Sequence, residues 1–227
     1  MRFGLTLSAV VCFAPAGAAL ADDAPKLEIA AGAAVRFASV EEGRTVLQSD
    51  DAFTRSLSPF DLQSRMKSAE KVQLEAWKDF VAQHVRPWEE EDVKAVTESV
   101  TRLSKRLAKY RLPLPKEIVL VRTSGEEEGN AAYTRGTAIV LPDKVLKYSP
   151  QQLDRLLTHE LLHILSRHDG ALRQRLYRIV GFEVCDPIAM PESLAPRKIT
   201  NPDAPLVDCV IELTADDGQT YTAAPVL

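Results

Sequence analysis

The pattern with the clearest chemical meaning is His159-Glu160-Leu161-Leu162-His163, two histidines four positions apart with a glutamate directly after the first. Four residues on an α-helix advance by roughly 400°, so the two imidazoles lie one turn apart on the same face and can bind one metal ion. Glu160 lies about 100° around the helix axis, from where it can reach a water molecule on the metal without binding the metal itself. The spacing predicts a zinc site with Glu160 beside it.

Such a site is typical of metal-assisted hydrolysis. Zinc lowers the pKa of its bound water towards ~7 and polarises a substrate carbonyl. Glu160 is then the expected general base, which takes the proton from the water and passes it to the leaving amine. The residues therefore predict a hydrolase that uses Zn²⁺ as its cofactor.

The helix that must carry this motif has clear start and stop signals. Ser149 is the predicted N-cap, Pro150 suits the first turn, and Gln152 completes a capping box with Ser149. We expect the helix to end near Gly170. Its apolar positions form an arc on the side opposite the histidines, which lets the helix pack on a core while it presents the metal face: Leu153, Leu157, Leu161, Ile164 and Leu165.

On these residues the chain resembles the zincin superfamily of metallopeptidases, whose H-E-x-x-H motif is matched by His159, Glu160 and His163. The resemblance implies a zincin-like α+β domain and a peptide or protein substrate. In that superfamily a sheet precedes the active-site helix, and its antiparallel edge strand binds extended substrate by main-chain pairing. Residues 137–141 are the expected edge strand here.

The third zinc ligand is less clearly marked. In one branch of the superfamily it is a glutamate about twenty residues after the second histidine, which selects Glu183 as the predicted ligand. Another branch extends the motif to a residue that corresponds to Asp169, although Ser166 stands where that branch has glycine. Met190 can stand in for the methionine turn of that branch, or simply fill the core. Other downstream candidates remain open: His168, Asp186 and Glu192.

An oxyanion formed during hydrolysis needs a hydrogen-bond donor, and Tyr177, Tyr221, Arg167 and His168 are all candidates. The run Asn201-Pro202-Asp203-Ala204-Pro205 has the composition of a rigid turn. It can form one wall of the cleft, but structure alone also explains it.

The rest of the chain predicts one α+β domain over residues 61–227, with N-terminal helices on a small mixed sheet and a C-terminal hairpin. Residues 22–60 show no sustained period and read as an irregular lead-in. His84 is expected to be a core histidine, and residues 126–128 a solvated loop. Before the motif helix we expect two helices, over 62–84 and 93–110. Three strands should follow them, over 118–121, 131–134 and 137–141. After the motif helix we expect a helix over 172–180 and two strands over 209–214 and 219–222.

The N-terminus has the features of a secretory signal peptide over residues 1–21, so we expect a secreted or periplasmic protein with no membrane span after cleavage. An oxidising compartment favours a disulfide between Cys185 and Cys209. The chain has 28 basic and 32 acidic side chains, a net charge of −4, without the basic stripe that nucleic acid requires. The sequence does not predict an oligomeric state.

Two hypotheses about function follow. The first is an exported zinc-dependent peptidase with Glu160 as general base. The alternative is a non-catalytic binding protein that keeps the zincin scaffold with a degenerate metal site, since the third ligand is unsettled. An intact Glu160 favours the enzyme.

Overall fold

The computed structural model describes residues 25–226. The predicted signal peptide, residues 1–21, lies outside the described residues. Within residues 25–226, no helix combines the length and the apolar composition that a membrane crossing requires.

The main sheet is mixed and has the strand order β1-β2-β3-β5-β4. The three central strands β2, β3 and β5 run parallel, and β1 and β4 pair antiparallel at the two edges. The strands are β1 (Leu27–Ala30), β2 (Ala33–Phe37), β3 (Glu117–Thr123), β4 (Tyr133–Arg135) and β5 (Ala138–Pro142).

Helices cover both faces of this sheet, and a second, antiparallel sheet follows them with the order β6-β7-β8. The helices are α1 (Val40–Gln48), α2 (Ala52–Ser56), α3 (Pro59–Arg65), α4 (Leu74–Gln83), α5 (Glu90–Leu107), α6 (Asp143–Leu146), α7 (Pro150–His168) and α8 (Gly170–Ile179). The strands of the small sheet are β6 (Phe182–Val184), β7 (Cys209–Thr214) and β8 (Thr220–Ala223). The predicted α+β class is confirmed.

Alternation along β3 divides the core into two layers, because successive side chains of a strand point to opposite faces. Ile118 and Leu120 pack in the cluster that contains α5 and α7. Val119 and Val121 pack on the other face, with residues of α1 and α4 such as Leu47. The sheet is therefore buried on both sides, as parallel strands require.

Helix α7 begins and ends as predicted. The Ser149 side chain accepts from the Gln152 backbone, the reciprocal bond completes the capping box, and the helix ends at His168. All five residues of the predicted apolar arc are buried. Asp154 ties the helix to α5 by accepting hydrogen bonds from Ser99 Oγ at 2.5 Å and Arg102 Nη2 at 2.8 Å.

The predicted irregular lead-in over 22–60 is wrong for most of its length. β1 and β2 belong to the main sheet, and α1 packs on it. β1 and β2 are short, and the parallel pairing of β2 with β3 joins residues about 80 positions apart, which no local period reveals. The single helix expected over 62–84 is also wrong, because α3 ends at Arg65 and α4 begins only at Leu74.

Two further expectations need correction. Residues 137–141 are not the edge strand, since β5 lies between β3 and β4 and the edge strand is β4. Residues 126–128 form a turn of 3₁₀ helix in which Glu127 is buried, and burial raises the pKa of its carboxyl. Glu128 forms an ion pair with Arg65.

The two cysteines are free thiols in this structure, and a disulfide between them stays a prediction. Cys209 pairs with Val184 across β6 and β7, and the backbone N–H of Cys185 donates to the carbonyl of Asp208. The two cysteines therefore lie on neighbouring stretches of chain, one residue out of register.

Replacing Leu157 by Ala tests the packing of α7. Leu157 is buried on the sheet, so we expect the free energy of unfolding to fall by about 2–5 kcal/mol in urea titrations. Leu162 is 48% exposed on the same helix, and Leu162→Ala is the matched control, expected within about 0.5 kcal/mol of wild type. Equal losses for the two variants would contradict this placement of the helix.

Candidate metal centre

The two motif histidines converge as the helical spacing predicts. His159 Nε2 and His163 Nε2 are 3.0 Å apart, and their rings meet edge to face with centroids 4.6 Å apart. His159 is exposed and His163 half-buried. Two nitrogens bound to one tetrahedral zinc ion at 2.0–2.1 Å would be about 3.3 Å apart, so the observed separation suits a shared metal ion.

An acidic residue from a distant part of the chain comes close to His163 and Glu160. Ligand atoms of Glu160, His163 and Asp203 all lie within 4.8 Å of one another, and no other group of three or more potential ligands lies this close within residues 25–226. Asp203 is forty residues after His163, beyond α8 and β6. The fold therefore brings a carboxylate to His163 and Glu160 from outside the motif helix.

Asp203 is oriented by the edge strand. Its Oδ1 accepts hydrogen bonds from the backbone N–H of Thr134 at 2.7 Å and from Thr134 Oγ at 2.6 Å. Both bonds use the same oxygen. Oδ2 takes no hydrogen bond within the described residues, so it remains available to a metal ion.

Arg167 links the same contact to α7, one turn after His163. Its guanidinium donates to Thr134 Oγ at 2.9 Å, to the Gly136 carbonyl at 2.8 Å and to the Asp203 carbonyl at 3.1 Å. The side chain thus joins the histidine helix, the edge strand and the chain around Asp203. Partners of this kind fix the orientation of ligands in metal sites.

The chain that carries Asp203, here called the return segment (residues 198–204), is anchored on α3. Asp61, which is fully buried, accepts from the backbone N–H of Thr200 at 2.9 Å and from its hydroxyl at 2.8 Å. Arg65 forms an ion pair with Asp61 and donates to the Thr200 carbonyl at 2.8 Å. A buried carboxylate needs such partners, so the network holds the return segment in one position.

Glu160 lies on the buried side of α7, with 1% of its surface exposed, and its Oε2 has no hydrogen-bond partner. Burial, with a smaller contribution from the negative charge of Asp203, raises the pKa of the Glu160 carboxyl to about 8. A cation at the histidines would oppose both effects and favour the carboxylate. An unpartnered buried carboxyl beside two imidazoles is typical of a functional site.

Burial also lowers the pKa of His163, although the nearby charge of Asp203 acts in the opposite direction. The imidazole is therefore neutral near pH 7, which is the form that binds metal ions. Together, His159, His163 and Asp203 offer two nitrogens and one oxygen. This donor set suits zinc better than Mg²⁺ or Ca²⁺, which prefer oxygen ligands.

The third-ligand candidates chosen from the sequence lie elsewhere. Glu183 is exposed on β6, where it pairs with Val210 of β7, and it does not belong to the cluster around His163. Asp169 caps α8 by accepting the backbone N–H of Leu172 at 2.8 Å. The other three candidates are exposed and outside the cluster: His168, Asp186 and Glu192.

The residues considered as oxyanion donors lie in different surroundings. Arg167 is committed to the contacts described above, and Tyr221 is exposed on β8 and donates to Gln219. Tyr177 lines the same cavity as Asp203. His84 lies outside the cluster and is half-buried, with its Nδ1 2.7 Å from Ser124 Oγ, which agrees with a structural role.

Sequence reasoning placed Asp203 in a rigid turn and in a wall of the cleft, but did not select it as a ligand. In the sequence, Asp203 is an aspartate between two prolines, and a structural turn alone accounts for that composition. Its partner Thr134 is 69 positions away, so only the folded chain shows that the two side chains meet.

Comparisons of the chain with protein-family models, with curated proteins and with solved structures found no match. The function therefore has to be inferred from the chemistry of the site. The relevant features are two convergent imidazoles, one oriented carboxylate and one buried carboxyl without a partner.

Replacing Thr134 by Val tests whether Asp203 is oriented by the edge strand. Val keeps the backbone N–H of this position but has no hydroxyl. The hydroxyl of Thr134 donates a hydrogen bond to Asp203 and accepts one from Arg167. We expect affinity for a divalent ion, measured by calorimetry with Zn²⁺ as the probe, to fall about 10- to 100-fold.

The matched control is Thr101→Val, because Thr101 is exposed on α5 and its hydroxyl bonds only to the Thr97 carbonyl. It should bind the probe ion as wild type does. Unchanged affinity in Thr134→Val would show that the Thr134 hydroxyl does not orient a ligand.

Proposed function

We propose that this chain is an exported zinc-dependent hydrolase, a peptidase of the zincin type, with His159, His163 and Asp203 as zinc ligands. The observation that supports this most directly is the convergence of Asp203 with His163 and Glu160 within 4.8 Å, next to a pair of Nε2 atoms 3.0 Å apart. Asp203 takes the place of Glu183, the ligand expected from sequence spacing.

The ligand set leaves one tetrahedral position free for water, which catalytic zinc sites require. Zinc bound there would lower the pKa of that water towards ~7 and polarise the scissile carbonyl. The chain's own residues supply the remaining functions. Asp203 and His163 hold the metal side of the site, and Thr134 and Arg167 keep Asp203 in position.

Glu160 is the proposed general base. It follows His159 directly on α7, and its unpartnered Oε2 is shielded from solvent. A carboxylate in this position can accept the proton of the attacking water and donate it to the leaving amine. Its burial favours the protonated form that this second step requires.

The ligand assignment is tested by comparing Asp203→Ala with Glu183→Ala. Asp203→Ala removes one of three ligands, so we expect Zn²⁺ affinity to fall by at least about 100-fold, with loss of stoichiometric metal after dialysis. Glu183→Ala should retain wild-type affinity, because Glu183 is exposed on β6. Elemental analysis and calorimetry measure both.

The opposite result, weak binding in Glu183→Ala alone, would restore the sequence-based assignment. Absence of zinc from wild type, together with no rise of the melting temperature on addition of zinc, would remove the metal site altogether. Stoichiometric zinc should otherwise raise the melting temperature, since binding to the folded state stabilises it.

The role of Glu160 is tested with Glu160→Gln, which keeps the size of the side chain and removes the base. We expect zinc to remain bound and the hydrolysis of a peptide library to fall by at least about 10³-fold, measured as kcat. Loss of zinc in this variant would identify Glu160 as a ligand. Equal turnover by wild type and variant would exclude Glu160 as the base.

A further inference from the structure

The edge strand β4 has little main chain left to offer a substrate. Thr134 donates its outward N–H to Asp203, and the Gly136 carbonyl accepts from Arg167. All three residues of β4 are buried. An extended peptide can add to a sheet edge only through free N–H and C=O groups, so pairing here would break the contacts that orient Asp203. Substrate must approach by another path.

A cavity of about 240 Å³ is lined in part by Asp203, the carboxylate of the candidate metal centre. Ser166 and Arg167 of α7 line one wall, three and four residues after His163. Asp203, Pro205 and Leu206 also line the cavity, and Tyr177 adds a phenol. The cavity is therefore continuous with the proposed ligand Asp203.

A larger cavity of about 530 Å³ shares two lining residues, Pro205 and Leu206, with the first. Its other walls come from the α2–α3 connection and from the chain after β6, and most are apolar, such as Leu57, Ile188 and Val207. Leu206 is 41% exposed at the junction of the two cavities. We call these two neighbouring cavities, which share Pro205 and Leu206, the groove.

We infer that this groove binds the substrate of the proposed hydrolase, as an extended peptide that crosses Pro205 and Leu206 and places an apolar side chain in the larger cavity. This inference rests on the proposed function and adds the path and side-chain preference of the substrate. The apolar walls favour an aliphatic or aromatic residue, because its transfer from water is favourable and leaves no polar group unpaired. The groove replaces the edge strand as the peptide-binding surface.

A third cavity offers a matched comparison. It has a volume of about 200 Å³ and is lined mostly by leucines of α5, α7 and the chain after α5, with Thr158 and Tyr110 also at its wall. Leu161 and Leu165 also line it, and these residues lie on the side of α7 away from the histidines. Leu162 and Leu206 are similarly exposed leucines, at 48% and 41%, in two different cavities.

The experiment compares Leu206→Asp with Leu162→Asp in the full zinc-loaded protein, with fluorogenic peptides that vary one position at a time. Leu206→Asp should lower kcat/KM for peptides with a large apolar residue about 10- to 100-fold, mainly through KM, and shift the preference along the library. Leu162→Asp should stay within about twofold of wild type. Both variants should keep zinc content and melting temperature.

The affinity of the same peptides for the inactive Glu160→Gln protein, measured by fluorescence anisotropy, separates this inference from the proposed function. If peptides bind, and Leu206→Asp in that background weakens binding, the groove is supported even if wild type hydrolyses nothing. The inference is overturned if no peptide binds, if Leu206→Asp has no effect, or if Leu162→Asp alone changes affinity and selectivity.

Discussion

The hydrogen bonds among Thr134, Asp203 and Arg167 determine how the candidate site is assembled, because they join three parts of the chain with no local connection. Thr134 belongs to the edge strand, Asp203 to the return segment and Arg167 to the histidine helix. Each of these three residues would need water as a hydrogen-bond partner if the other two were absent. Once made, the contact fixes one oxygen of the Asp203 carboxylate close to the edge strand.

The same contact has a consequence for substrate binding. A sheet edge presents unpaired main chain that natural proteins usually cover or use. Here the return segment and Arg167 cover the sheet edge. The main-chain groups of the edge are therefore used to orient Asp203. The substrate path that we propose lies instead along the two cavities that share Pro205 and Leu206. Ligand positioning and substrate path are thus two results of one packing arrangement.

Glu160 shows the opposite case, a group that the fold leaves without a partner. Asp61 and Asp154 are buried carboxylates paired with Arg65 and Arg102, whereas Glu127, like Glu160, has a carboxyl oxygen without a hydrogen-bond partner among the described residues. Glu160 lies on the buried side of α7 with a free Oε2, and its raised pKa follows from that position. Proteins retain such unfavourable groups mainly where function needs them, which agrees with a proton-transfer role.

The local sequence pattern was sufficient to predict helix α7, its Ser149 capping box and the common face of His159 and His163. Helical spacing and capping act over about four residues, so the sequence records them directly. It also predicted the β4–β5 and β7–β8 hairpins, whose turns are short. It could not place β1 and β2 in the main sheet, nor bring Asp203 close to His163. Those outcomes depend on pairing between distant residues, such as Val35 with Ile118 and Thr134 with Asp203. Contacts of that kind are decided by which faces the folded chain buries together, and spacing along the sequence does not record them.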